Sequence, residues 1–255
     1  MKKQLALVVI LLVMTQLACE TLLSPNKSLN IGNANTVRGS GNVTRESREV
    51  GDFNRIQLAG IGDVELSQGE PASLEVEADD NIAQWIQTEV RGDTLVISIQ
   101  GEHPGLNLKP TQPIRYYVTV PDVRGLEISG SGNIRSGSID TDQMDLSISG
   151  SGDIQVDSLS AKSLESNING SGSIEVKGGE VSEQNMTIAG SGNYSAAGLE
   201  SQTASVTVSG SGSATVRVAE TLNARIPGSG NIRYYGSPNV NEQVAGSGRV
   251  RRAGD

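Results

Sequence analysis

From the middle of the chain onward, apolar and polar side chains alternate in step with a recurring Gly-Ser-Gly. The triplet begins at Gly130, Gly150, Gly170, Gly190 and Gly210, spaced by 20 residues, and then at Gly228 and Gly246, spaced by 18. Two places before its first glycine stand Ile128, Ile148, Ile168, Ile188, Val208, Ile226 and Val244. Four places after it stand Ile134, Ile154, Ile174, Tyr194, Ala214, Ile232 and Val250. The position three before it is polar throughout: Glu127, Ser147, Asn167, Thr187, Thr207, Arg225 and Gln243. Alternation at single-residue intervals marks a strand with one buried face, so each triplet is a corner between two strands that share a dry side. Earlier copies at Gly39 (Gly-Ser-Gly) and Gly60 (Gly-Ile-Gly) carry the same flanks, making nine corners in all.

A coil of about 20 residues with two or three short strands cannot bury its own aliphatic face, so successive coils must stack at the inter-strand distance of about 4.8 Å. Strands stacked in this way run parallel, and the spacing leaves no room for crossover helices. The predicted fold is therefore mainly β, with a parallel β-solenoid, or β-helix, over residues 126–255. The alternation crosses each corner without a change of phase. Both glycines then face inward, while the serine and the residue after the second glycine face out. The glycines are expected to lack room for a Cβ and to need φ > 0.

Between Gly60 and Gly130 the period is lost. Residues 64–67 and 73–77 read as strands around the turn 68–71, and 94–99 and 114–120 read as two more. Asp79 or Asp80 can cap a helix that carries Ile82, Trp85, Ile86 and Val90 on one stripe, placed to cover an end of the stack. Residues 37–125 are thus expected to be a mostly β portion with one short helix, continuous with the solenoid.

Composition sharpens the picture. Aromatics are only 3% of the chain while glycines number 31, which suits thin aliphatic layers with many tight corners better than a conventional sandwich core. The first 18 residues have Lys2 and Lys3, an apolar run from Leu5 to Val13 and a small residue, Ala18, before Cys19. This is the form of a secretory signal, too short to span a bilayer. Its ending resembles a bacterial lipoprotein signal with Cys19 as the lipidated residue, although Gln16 stands where leucine is usual. A plain cleaved signal is the alternative. A lipidated Cys19, the only cysteine, leaves no thiol for redox or metal chemistry. Residues 19–36 then read as a tether from membrane to fold.

Loss of Lys2 and Lys3 leaves 18 basic against 29 acidic side chains. That balance disfavours nucleic acid and anionic headgroups as partners. Arg249, Arg251 and Arg252 cluster at the C-terminus; they read first as charges that discourage edge pairing, and second as a binding patch.

The outward row after each corner includes Asn133, Asp153, Asn193 and Asn231. With Tyr235 it forms the candidate binding row, for a cation, sugar hydroxyls or an envelope protein. The same residues could equally form a hydrogen-bonded ladder that satisfies the turns. The seven serines from Ser131 to Ser247 form a second row, none of them in a nucleophile elbow. His103 is the only histidine and lies in a loop, so neither a histidine triad nor a multi-histidine metal site can be built within one chain. Neither a cofactor nor a catalytic residue is expected. Asp140 with Asp142, or Glu70 with Glu75, are the carboxylate pairs that glycoside cleavage would need.

Residues 53–58, the corner Gly60-Ile61-Gly62-Asp63-Val64, the start Asp79-Asp80-Asn81, the strand 94–97 and Val120-Pro121 leading into Ile128-Ser129-Gly130 together resemble the "putative auto-transporter adhesin, head GIN" domain of bacterial cell-envelope proteins. The likeness covers residues 51–255 and implies a β-helical fold and an exported location, often with a lipid anchor. The expected function is that of a non-enzymatic envelope lipoprotein, attached to a membrane through Cys19, whose solenoid binds a glycan or an envelope protein. A polysaccharide-active enzyme on the same scaffold and a structural spacer are the alternatives.

Overall fold

The computed structural model describes residues 36–100 and 106–254; Cys19, the leader, nearly all of the tether and His103 lie outside these described residues. Strands Thr36–Arg38 and Asn107–Lys109 pair as a two-stranded sheet of their own. The body formed by Arg38–Glu102 and Leu108–Asp255 is a β-solenoid.

Its coils stack in parallel and in register. On the side after the corner, Ile134, Ile154, Ile174, Tyr194, Ala214, Ile232 and Val250 lie one above another. On the side before it, Ile128, Ile148, Ile168, Ile188 and Val208 do the same. A short third side stacks Ile139, Leu159, Gly179 and Leu199. From Ile128 to Ile232 the apolar members of these columns are all buried, each isoleucine, leucine and valine contributing about 1.5–3 kcal/mol from removal of its surface from water.

The Gly60 coil docks directly on the Gly130 coil, across 70 residues of sequence. Ser129, Ser131 and Asn133 donate their N–H groups to the carbonyls of Leu58, Gly60 and Gly62 at 3.0, 3.1 and 2.9 Å. Residues between these coils leave the stack and return. On the way, 94–97 pair in parallel with 55–58, and 115–120 with 63–68, adding a rung beyond the Gly60 coil. Antiparallel strands then close that end: Ile86–Arg91 on one side, and Ser73–Asp79 followed by Val43–Arg48 on the other.

Three expectations are corrected. Of the expected helix only Asp80–Ala83 is helical, and Ile86–Arg91 forms a hairpin with Thr94–Ile99 through Gly92, at φ 64°. Ile86 and Val90 satisfy period two, with Thr88 between them, as well as the helical stripe, and the two-residue loop at Gly92-Asp93 lets the strand pair and bury Ile86. The Gly39 copy is a corner but not a parallel coil, because Val43–Arg48 runs antiparallel to Ser73–Asp79. Among the described residues, positive φ occurs at Gly41, Gly62, Gly92, Gly179 and Gly236, and at no corner glycine from Gly130 onward. What demands glycine there is contact rather than torsion. A Cβ on Gly150 or Gly152 would overlap the carbonyl oxygen of Gly130 or Gly132, far inside the 3.0 Å that real Cβ atoms keep, and the pattern repeats through Gly246 and Gly248.

Candidate functional site

The row that follows the corner is half ladder and half open surface. Asn133 Nδ2 donates to Asp63 Oδ1 at 2.7 Å, Asp153 N donates to Asn133 Oδ1 at 3.0 Å, and Ser173 N donates to Asp153 Oδ1 at 2.8 Å. These side chains are spent on the stack. Beyond Asp153 the row alternates asparagine with serine, and among the described residues no further side-chain hydrogen bond links one coil to the next at this position. Asn193, between Ser173 and Ser213, is exposed, as is Asn231, between Ser213 and Arg249. Tyr235, four residues along the strand from Asn231, is half-buried, with the Arg217 guanidinium 5.1 Å from its ring centre.

At the opposite end, Tyr116 is buried and donates its hydroxyl to the Ile61 carbonyl at 3.1 Å, and burial pushes its pKa up. Its neighbour Tyr117 faces out under Arg45, 3.8 Å from the ring centre. The corner serines have exposed side chains, and their N–H groups build the stack: Ser151 donates to Gly130 O and Ser171 to Gly150 O, both at 3.1 Å. One member of each carboxylate pair that could cleave a glycoside is engaged by a basic side chain. Glu75 is in an ion pair with Arg45, and Asp142 lies 2.7 Å from Lys162 Nζ. Lys162 lowers the pKa of Asp142, the reverse of what a general acid needs. Among the described residues no group of three His, Cys, Asp or Glu side chains could hold a metal ion.

A buried polar cluster was not anticipated. Tyr194 donates its hydroxyl to Gln184 Oε1 at 3.1 Å, Gln184 Nε2 donates to Ser201 Oγ at 2.7 Å, and Ser201 Oγ donates to Arg217 O at 2.7 Å. It sits where the coil shortens from 20 to 18 residues: the register slips between Ala196 and Glu200 and again between Ser201 and Thr203. Ser201 Oγ and Gln184 Nε2 both donate to the backbone carbonyl of Arg217, next to the slip. The signal for them is in the columns. Gln184 interrupts Met144, Leu164, Ala204 and Leu222, and the bulk of Tyr194 and Gln184 is taken up by Ala214 and Ala204 stacked upon them.

A stack of parallel coils with a glycine corner, closed by antiparallel strands, can be compared with known proteins. The family model described as "Putative auto-transporter adhesin, head GIN domain" matches residues 52–238. The chain belongs to this family. Among solved structures, the head GIN chain is similar to a "putative adhesin" from Bacteroides fragilis, with 23% identity and a TM-score of 0.77 over 85% of this chain and 99% of that one. It is also similar to a "Putative lipid binding protein" from Parabacteroides distasonis, with 25% identity and a TM-score of 0.71 over 86% and 99% of the two chains. A "putative adhesin" from the same species gives 26% identity and a TM-score of 0.67, over 86% of this chain and 100% of that one. No curated protein matches the chain. The head GIN family is of adhesin type, a class of exported envelope proteins, and among the described residues no helix is long and apolar enough to cross a membrane.

Proposed function

We propose that this head GIN protein is a non-enzymatic envelope protein, held at a membrane by lipid on Cys19, that binds an extended glycan along the outward face after the corner. The observation that carries the reading is the change in that row from satisfied to open. Asn133 and Asp153 are consumed by the ladder, whereas the amides of Asn193 and Asn231 are exposed on a flat parallel face, two coils apart, with Tyr235 beside them. An amide on every second rung, about 9.6 Å apart at strand spacing, matches a polymer with repeated hydroxyls, and the cost of holding it is small because the scaffold is rigid. The engaged state of Glu75 and Asp142 supports binding over cleavage.

The test is a glycan array probed with the full chain and with Asn193→Ala/Asn231→Ala. Saturable binding that the double substitution weakens, with the polymer recovered intact, is the expected result. Release of shortened polymer would instead make the protein an enzyme, and an absence of binding would leave a spacer. Acyl labelling of the full chain, lost in Cys19→Ser, tests the anchor separately.

A further inference from the structure

The end of the solenoid away from the antiparallel cap is a cationic pole on an acidic protein. From Ser205 to Gly254 six arginines face two acids, Glu220 and Glu242, whereas the rest of the chain holds the remaining 14 basic and 27 acidic residues. Along most of the stack, basic side chains stand beside acids: Arg55 by Asp145, Arg135 by Asp63 and Glu65, Lys162 by Asp142 and Lys177 by Asp157. Arg233, Arg249 and Arg251 have no acidic partner among the described residues, and all three are exposed on the outward face after the corner.

Their arrangement departs from what the fold needs. Arg233 and Arg251 are in register on adjacent coils, about 4.8 Å apart at strand spacing. Higher in the same column Glu65 lies next to Arg135, an opposite-charge pair, so the stack uses compensation where it has no other use for the charge. Protection of the last edge strand accounts for Arg249 and Arg251. It does not account for Arg233, which is on the strand before the edge and already paired on both sides. Two like charges directly side by side are unfavourable, and an anion bound from outside relieves the repulsion. Asn231 and Tyr235 flank Arg233 at two residues on either side, which puts amide, guanidinium and aromatic ring on one surface.

We infer that this pole binds the carboxylates of an acidic polysaccharide, with Arg233 and Arg251 as a paired clamp and Arg249 beside them. The inference takes from the preceding reading that the ligand is an extended glycan on this face, and adds its charge. A guanidinium takes a carboxylate through two parallel N–H···O bonds, and two of them one rung apart suit charges repeated along a polymer.

The experiment compares binding of polygalacturonate and of its fully methyl-esterified, neutral form to the full chain. The key variant is Arg233→Ser/Arg251→Ser, with Lys162→Ser/Lys177→Ser as a control that removes the same charge elsewhere, both checked for unchanged melting. Expected is at least tenfold weaker polygalacturonate binding in the arginine variant alone, steep loss with salt, and no effect of that variant on the neutral polymer. Equal weakening in the lysine control, unchanged binding in the arginine variant, or no binding of polygalacturonate would overturn it. So would binding only to phosphatidylglycerol vesicles, which would make the surface a membrane contact. Arginine-dependent binding of polygalacturonate, with the Asn193→Ala/Asn231→Ala variant behaving as the unaltered chain, would sink the amide row and keep the clamp.

Discussion

Thr111 gives both its backbone N–H and its hydroxyl to the carboxylate of Asp79, at 2.8 and 2.7 Å. The same carboxylate accepts the N–H of Gly41 at 2.9 Å, so Asp79, at the end of strand Ser73–Asp79, ties the corner at Gly39 to the loop before strand Arg115–Val120. Burial by itself would raise the pKa of Asp79. The bonds from Thr111 and Gly41 outweigh it and hold the group below the ordinary 3.8.

A carboxylate depressed in the folded state contributes stability that is fully present above its unfolded pKa and is lost as pH falls through its folded value. Asp79→Ala leaves the N–H groups of Thr111 and Gly41 without their acceptor and is expected to cost about 1–3 kcal/mol near neutral pH in denaturant unfolding. Asp79→Asn should also flatten the loss of stability below about pH 4 relative to the parent. An unchanged acid limb in that variant would remove Asp79 from the account.

The corner glycines give a graded test. Gly170→Ala drives a Cβ into the Gly150 carbonyl oxygen, a backbone atom that cannot rotate away, and is expected to cost more than about 4 kcal/mol or to prevent folding. Gly137→Ala has nothing within 4 Å and no positive φ, so it should be neutral or stabilising by up to about 1 kcal/mol. Thermal melts of the two proteins side by side decide it. Similar effects would mean that the corners are held by something other than close approach.

The parallel stack was legible because two periods coincide in these residues: alternation set the inward face of Ile128, Ile134 and their copies, and the 20-residue spacing set which residues lie above which. The cap was less so. Ile82, Trp85, Ile86 and Val90 fit a helix, and only the partner strand Thr94–Ile99 settles the matter, since pairing is a tertiary fact. Asp79 read as a helix cap because its true partner, Thr111, is 32 residues away. The outward row is legible from register, but which of its members are bonded is not: Asn133 is bound to the neighbouring coils while Asn193 and Asn231, the same residue type at the same place in the coil, stay open. Arg233 stands apart in sequence from the clustered Arg249, Arg251 and Arg252, and the 18-residue spacing of the last two corners brings it into register with Arg251.

The buried cluster at the shortened coil should be sensitive to loss of one member. Gln184→Leu matches the volume of the neighbouring column yet removes the acceptor for Tyr194 and the donor to Ser201. A loss of about 1–3 kcal/mol is expected despite the gain in apolar character. Adding Tyr194→Phe should recover part of it, because the hydroxyl that lost its partner is then gone. A double-mutant cycle from urea melts gives the coupling. Strict additivity would mean that the two side chains do not share a bond.

Stability should also fall away along the stack toward the last coil. Ile154 is fully buried between coils on both sides, so Ile154→Ala leaves a cavity that neighbours cannot fill, at an expected cost of about 2–5 kcal/mol. Val250 occupies the same column on the final strand, where it has a coil on one side only and is partly exposed; Val250→Ala should cost less than about 1 kcal/mol. Because each coil touches only its neighbours, hydrogen exchange should be fastest in strands Asn239–Val244 and Arg249–Gly254 and slowest near Ile154. Uniform protection from end to end would mean that the final coil is covered by something, such as a second copy of the chain stacked on its open edge.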